Sequence, residues 1–109
     1  MRKKPTLAQL TKYNVSQKIL EILANAQSRV ILFSIIKDGK ASADLSQEHR
    51  IPLSTVYKKI SELEDLGLIR VERIILSDNG KKFKIYKSRI NKADVSYRRP
   101  EPTINLYPN

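Results

Sequence analysis

Residues 42 to 67 constrain this chain more than any other stretch. Ser42 to His49 reads as a short helix, Arg50-Ile51-Pro52 as a tight turn, and Leu53 to Leu66 as a second helix running out into Gly67-Leu68-Ile69. Proline has a fixed φ and no amide hydrogen, so Pro52 marks the turn or the first turn of the helix after it. Val56, Ile60 and Leu63 fall at i, i+4 and i+7, the spacing of one buried helix face. Two short helices joined by a tight turn form the unit that lays its second helix in a DNA major groove.

Opposite the buried face, that second helix presents Ser54, Lys58, Ser61 and Asp65, with Tyr57 on the flank. The first half of this face is hydroxyl and cationic. The second half is acidic, with Glu62, Glu64 and Asp65. Those carboxylates oppose a helix lying flat along phosphates, whereas docking by the amino end brings the positive end of the helix dipole to the polyanion.

The flanking segments read as follows. Met1 to Tyr13 is a basic arm carrying Arg2, Lys3, Lys4 and Lys12. It is read equally as a phosphate-following arm and as a solubilising tail. Asn14 is the expected cap of a first helix whose apolar face is Ile19, Leu20, Ile22, Leu23 and Ala26. Ser28 is the expected cap of a second, apolar nearly all round from Val30 to Ile36, which predicts the central core helix. Gly39 suits its left-handed C-cap, and Ser42 the cap of the third helix. After Leu68, β-branched alternation to Leu76, then Asn79-Gly80, then alternation from Lys81 to Ser88 predicts a β-hairpin. Its return strand puts Phe83 and Ile85 on one face and Lys82, Lys84 and Tyr86 on the other. From Ala93 to Tyr97 a short strand is expected, and the remaining chain, with Pro100, Pro102 and Pro108, is expected to be extended.

The chain has 109 residues and a formal net charge of +10, from 21 Lys and Arg against 11 Asp and Glu. One domain with tails fits that length. A polyanion is the partner that such charge implies, nucleic acid before an anionic membrane. Cysteine is absent, which excludes disulfides, thiolate catalysis and thiolate metal sites and agrees with a reducing cytoplasm. No apolar run approaches the ~20 residues of a membrane span, so no membrane partner is expected. His49 has no spaced partner for metal ligation. Asp38, Asp44 and Glu48 read as solvated or capping groups, and no acid–base pair, enzymatic site or cofactor is expected.

Helix, helix-turn-helix, then hairpin is the order of a winged helix. The chain resembles the small winged helix-turn-helix transcription regulators of bacteria and archaea, of the broad ArsR-like and MarR-like kind. The carriers are Ala43-Asp44-Leu45-Ser46, Ile51-Pro52-Leu53-Ser54-Thr55-Val56-Tyr57 and Leu63-Glu64-Asp65-Leu66-Gly67-Leu68-Ile69. The resemblance implies an α+β fold, mainly α with a small β-hairpin, in which residues 14–90 are the domain and 91–109 a C-terminal extension. It implies recognition-helix contacts from Ser54, Thr55, Tyr57, Lys58 and Lys59, with Ser61 on the same face, and backbone contacts from Lys81 and Lys82 of the wing. Arg73 joins the wing set. Arg50 stands where such proteins often carry glycine, and an extra phosphate contact is one reading of it. The cysteine pairs and carboxylate–histidine clusters of ArsR-like metal sensors have no counterpart here.

Double-stranded DNA is therefore the expected partner of a cytoplasmic transcription regulator. A homodimer is expected, because one such helix reads only a few base pairs. No residue pattern names a small-molecule effector. Two other functions compete: a winged-helix module that binds protein within a transcription assembly, and a non-specific architectural DNA binder.

Overall fold

The computed structural model describes residues 15–109. The expected arm of residues 1–13 and the cap at Asn14 lie outside them. Four helices come first: α1 (Ser16–Ala24), α2 (Ala26–Ser34), α3 (Ser42–His49) and α4 (Leu53–Asp65). Two antiparallel hairpins follow: β1 (Ile69–Leu76) with β2 (Lys82–Ser88), and β3 (Ile90–Tyr97) with β4 (Pro102–Pro108). Lys40, just before α3, bridges Tyr86 on the other edge of β2. This is the α+β winged helix, with a second hairpin added.

The core is built from Ile19 and Ile22 of α1, Ile31 and Leu32 of α2, Leu45 of α3, and Val56, Ile60 and Leu63 of α4. Ile35, Ile51, Leu68, Ile69, Tyr86 and Ile90 close it. α3 contributes one large side chain, Leu45, which is fully buried. α2 is less central than its composition suggested. It ends at Ser34, and Val30 and Phe33 remain 40% and 36% exposed.

The caps differ from expectation in an instructive way. Asn25, not Ser28, starts α2: its Oδ1 accepts from the Ser28 amide at 2.9 Å and from the Ser28 hydroxyl at 3.2 Å. Ala26 therefore opens α2 and does not extend the α1 face. At α3 the cap position is Ala41, whose amide donates to Asp44 Oδ2, while Ser42 is the first helical residue. Gly39 is not in the left-handed region. Its lack of a side chain serves close packing, because a Cβ there would lie 2.7 Å from Ile85 Cγ2 and 2.9 Å from Glu72 Oε1.

Two helices close alike. Beyond α4, Gly67 takes φ 72°, Leu68 N–H reaches Leu63 O and Gly67 N–H reaches Glu64 O, the paired bonds of a Schellman motif. Beyond α3, Arg50 takes φ 53° and Ile51 N–H reaches Ser46 O. Arg50 thus does, with a Cβ, what Gly67 does without one. A left-handed L-residue costs about 1–2 kcal/mol, less the extra chain entropy that glycine loses on folding. Arg50→Gly is expected to raise the unfolding free energy by about 0.5–1 kcal/mol in denaturant titration. Arg50→Val is expected to lower it.

The first hairpin has a three-residue tip, Asp78-Asn79-Gly80, in place of a two-residue Asn-Gly turn. Gly80 N–H donates to Ser77 O at 2.9 Å, Ser77 N–H to Lys81 O at 2.8 Å, and only Gly80 has positive φ. That is a type I turn followed by a glycine bulge. A second irregularity lies in β1, where pairing passes from Val71↔Tyr86 to Arg73↔Ile85 and leaves Glu72 as the surplus residue.

Residues 90–108 are the main correction. Ala93↔Leu106, Val95↔Ile104 and Tyr97↔Pro102 pair where one short strand and an extended tail were expected. Pro100 lies in the connection and Pro102 is the first residue of β4, both places where a strand tolerates proline. Burial alternates along β4, with Pro102, Ile104 and Leu106 turned inward. Asn109 ties this hairpin down: its amide nitrogen donates to Ile36 O at 2.8 Å and Ser88 O at 2.9 Å.

Candidate nucleic-acid interface

α4 divides into four faces at about 100° per residue. Val56, Ile60 and Leu63 point into the core. Ser54, Lys58, Ser61 and Asp65 are exposed on the side away from it. Tyr57, 57% exposed, and Glu64 line one margin. Thr55, Lys59 and Glu62, all half-buried, line the other.

The amino end of this helix is open. Pro52, Leu53 and Ser54 are exposed, and the first helical bond is Val56 N–H to Pro52 O at 3.0 Å. No side chain caps the end. The leading amides and the positive dipole end are thus free for an anionic acceptor. Arg50 is exposed in the turn just before it. That turn is rigid: Ser46 Oγ donates to Ile51 O at 2.6 Å and Ile51 is buried.

The first hairpin packs its base against the core, with Tyr86 near the Tyr57–Glu64 margin of α4. Tyr86 at its base is buried among α4 neighbours, and burial raises its hydroxyl pKa above the ordinary value, with Glu64 and then Tyr57 adding to the shift. The margin of α4 carrying Tyr57 therefore faces the inner face of the ribbon. Along that inner face, β1 places Ile69, Val71, Ile74 and Leu76, and β2 places Ser88, Tyr86, Lys84 and Lys82. Ile74 lies across from Lys84 and Leu76 across from Lys82. Lys81 sits exposed at the tip. Asp78 in the tip loop and Glu72 at the bulge are the acids of this hairpin.

Arg50, Ser54, Tyr57, Lys58 and Ser61 are exposed on the turn and the outward side of α4, and Lys81 and Lys82 are exposed on the distal part of the ribbon. Three sequence candidates fall elsewhere. Lys59 lines a cleft of about 480 Å³ between α1 and α4, with Lys18, Glu21, Glu62 and Asp65. Thr55 is half-buried on that same margin. Arg73 is on the outer ribbon face, 3.8 Å from Glu72.

Lys84 was not among the candidates, although alternation had grouped it with Lys82. The missing signal was long-range: only tertiary packing turns that face toward α4. A further cationic group, Arg70, Lys87 and Arg89, surrounds a shallow cleft at the ribbon base, with Lys87 3.3 Å from Glu72. Lys40 is engaged with Glu48 at 2.7 Å, and this hydrogen bond holds the Glu48 carboxyl below the ordinary range.

His49 is half-buried, 3.8 Å from Glu48, and its Nε2 has no hydrogen-bond partner. Among the described residues no three His, Cys, Asp or Glu side chains cluster as metal ligands. No described helix is long and apolar enough to cross a membrane.

No protein-family model matches the chain, and no curated protein matches it. Among solved structures, NolR from Sinorhizobium fredii is similar: TM-score 0.58, 18% sequence identity, with 80% of this chain and 81% of that chain covered. At that identity the likeness establishes the winged-helix fold alone.

Proposed function

We propose that this chain is a DNA-binding transcription regulator that acts in the cytoplasm, where the prokaryotic chromosome is. α4 enters the major groove by its amino end, with Ser54, Tyr57, Lys58 and Ser61 toward base edges and Arg50 toward phosphate. The ribbon grips flanking backbone through Lys81, Lys82 and Lys84. The observation that carries this reading is the uncapped, exposed amino end of α4, on a chain of charge +10 that also bears a lysine-rich ribbon. Arg73, Thr55 and Lys59 take smaller parts, since each is turned from that surface.

A homodimer completes the reading. Between α1 and the second hairpin runs an open groove lined by Leu20, Leu23, Val95, Tyr97 and Pro102. Tyr97 is 64% exposed there. A second copy packing along this groove would bring two α4 helices into one assembly.

Selection of bound sites from random duplex DNA tests the function, and an inverted repeat is the expected product. Failure to enrich any sequence would overturn sequence-specific regulation. If each subunit neutralises about four phosphates, log affinity falls against log salt with a slope near −3.6, doubled for a dimer. Sedimentation at the same protein concentrations reads the stoichiometry. Absent or shallow salt dependence would favour a protein-binding module.

A further inference from the structure

The distal half of the ribbon carries more apolar surface than a phosphate clamp requires. Ile74 and Leu76 on the inner face are 58% and 65% exposed, and Ile75 and Phe83 on the outer face are each 42% exposed. Contiguous apolar side chains standing in solvent mark a contact surface. The two faces differ in what surrounds those side chains. On the outer face Ile75 pairs with Phe83, an apolar couple. On the inner face each aliphatic side chain is directly across from a lysine, Ile74 from Lys84 and Leu76 from Lys82. The inner surface is thus a short apolar strip on β1 with ammonium groups along its β2 side, and its distal strand residues (Ile74, Leu76, Lys82, Lys84) include no acid, Asp78 standing in the tip loop.

Such a strip suits a partner with an apolar floor beside an anionic edge. The minor groove of duplex DNA has this form: sugar and base edges line it, and phosphates bound it on both sides. A purely apolar partner would leave the two lysines without counter-charge.

We propose that Leu76, backed by Ile74, is an apolar wedge that enters the minor groove beside the segment read by α4 and kinks the duplex. This rests on the DNA-binding reading above and goes beyond it. Lys82 and Lys84 hold the flanking phosphates while the aliphatic side chains press on one base step and partly unstack it. The ribbon then selects sequence without hydrogen-bonding a base, because pyrimidine–purine steps such as TA and CA unstack most readily. A TA or CA step is accordingly expected at the ribbon position of the preferred site.

The test uses the full chain on permuted duplex fragments, with bend read from gel mobility and from end-to-end energy transfer. The unsubstituted protein is expected to kink the duplex by at least about 20°. With Ile74→Thr and Leu76→Ser together, the complex is expected to form while its bend falls to that of free DNA. Leu76→Thr, which keeps a strand-forming residue, should behave likewise if the double variant fails to fold. Lys82→Ala is expected to keep the kink and to reduce the salt slope by about 0.9. An unchanged bend in complexes of the apolar variants overturns the wedge and leaves DNA binding standing. An unchanged bend together with loss of self-association in sedimentation also overturns it, and assigns the face to a protein contact. No complex with the unsubstituted protein overturns both readings.

Discussion

Leu45→Ala is expected to lower the unfolding free energy by about 2–5 kcal/mol, the range for truncating a buried leucine. Leu45 is fully buried and is the one large apolar anchor of α3. α3 is eight residues long, too short to hold itself as an isolated helix. It stays folded because Leu45 inserts beneath it and because the turn after it is fixed through Ser46 and Ile51. For a domain near this size, each kcal/mol moves the melting temperature by about 4–8 °C, so the midpoint should fall by roughly 10 °C or more. Val30→Ala is the matched comparison. Val30 is 40% exposed, and its truncation should cost about 1 kcal/mol or less. Equal losses at the two positions would contradict the burial described for both. Loosening α3 also frees the turn that aims α4, so DNA affinity should fall with stability in Leu45→Ala.

Lys58→Ala is expected to weaken binding to the preferred duplex by about 1–3 kcal/mol, some 5- to 150-fold, if its ammonium reaches a base edge. Lys58 is exposed at the centre of the outward α4 face, one turn from the open amino end. Binding to unrelated duplexes should change far less. Competition titrations with preferred and scrambled duplexes separate the cases. Uniform weakening, with the salt slope reduced by about 0.9, would move Lys58 to the phosphate set. Melting should change little, because this side chain is exposed on the outward face.

The helix-turn-helix was legible because α4 obeys one period throughout. Val56, Ile60 and Leu63 are buried, and Ser54, Lys58, Ser61 and Asp65 are exposed, as 100° per residue requires. Less legible were choices between neighbours of similar chemistry. Asn25 and Ser28 are both good caps, three residues apart, and in the structure one bonds the other. Their order is decided by where α1 stops. The second hairpin was obscured because its prolines read as breakers, although the inward row of Pro102, Ile104 and Leu106 had the correct period. Arg50 was read as a departure from glycine, and its φ of 53° shows that the turn keeps its geometry with the larger residue. The relation of the ribbon to α4 was beyond sequence reading. It depends on contacts such as Tyr86 with the α4 margin and on one surplus residue in β1.

That surplus residue, Glu72, sets more than a local kink. In an uninterrupted ladder Arg73 would stand across from Lys84, two cations face to face, and Ile74 would turn to the outer side. Counting one extra position shifts the alternation so that Ile74 and Leu76 stay in line with Val71. It also bends the strand and steepens its twist where the ribbon leaves the body. The heading of the tip is therefore stored as a residue count, and deleting one amino acid would keep every remaining partner yet swing the tip to a new bearing.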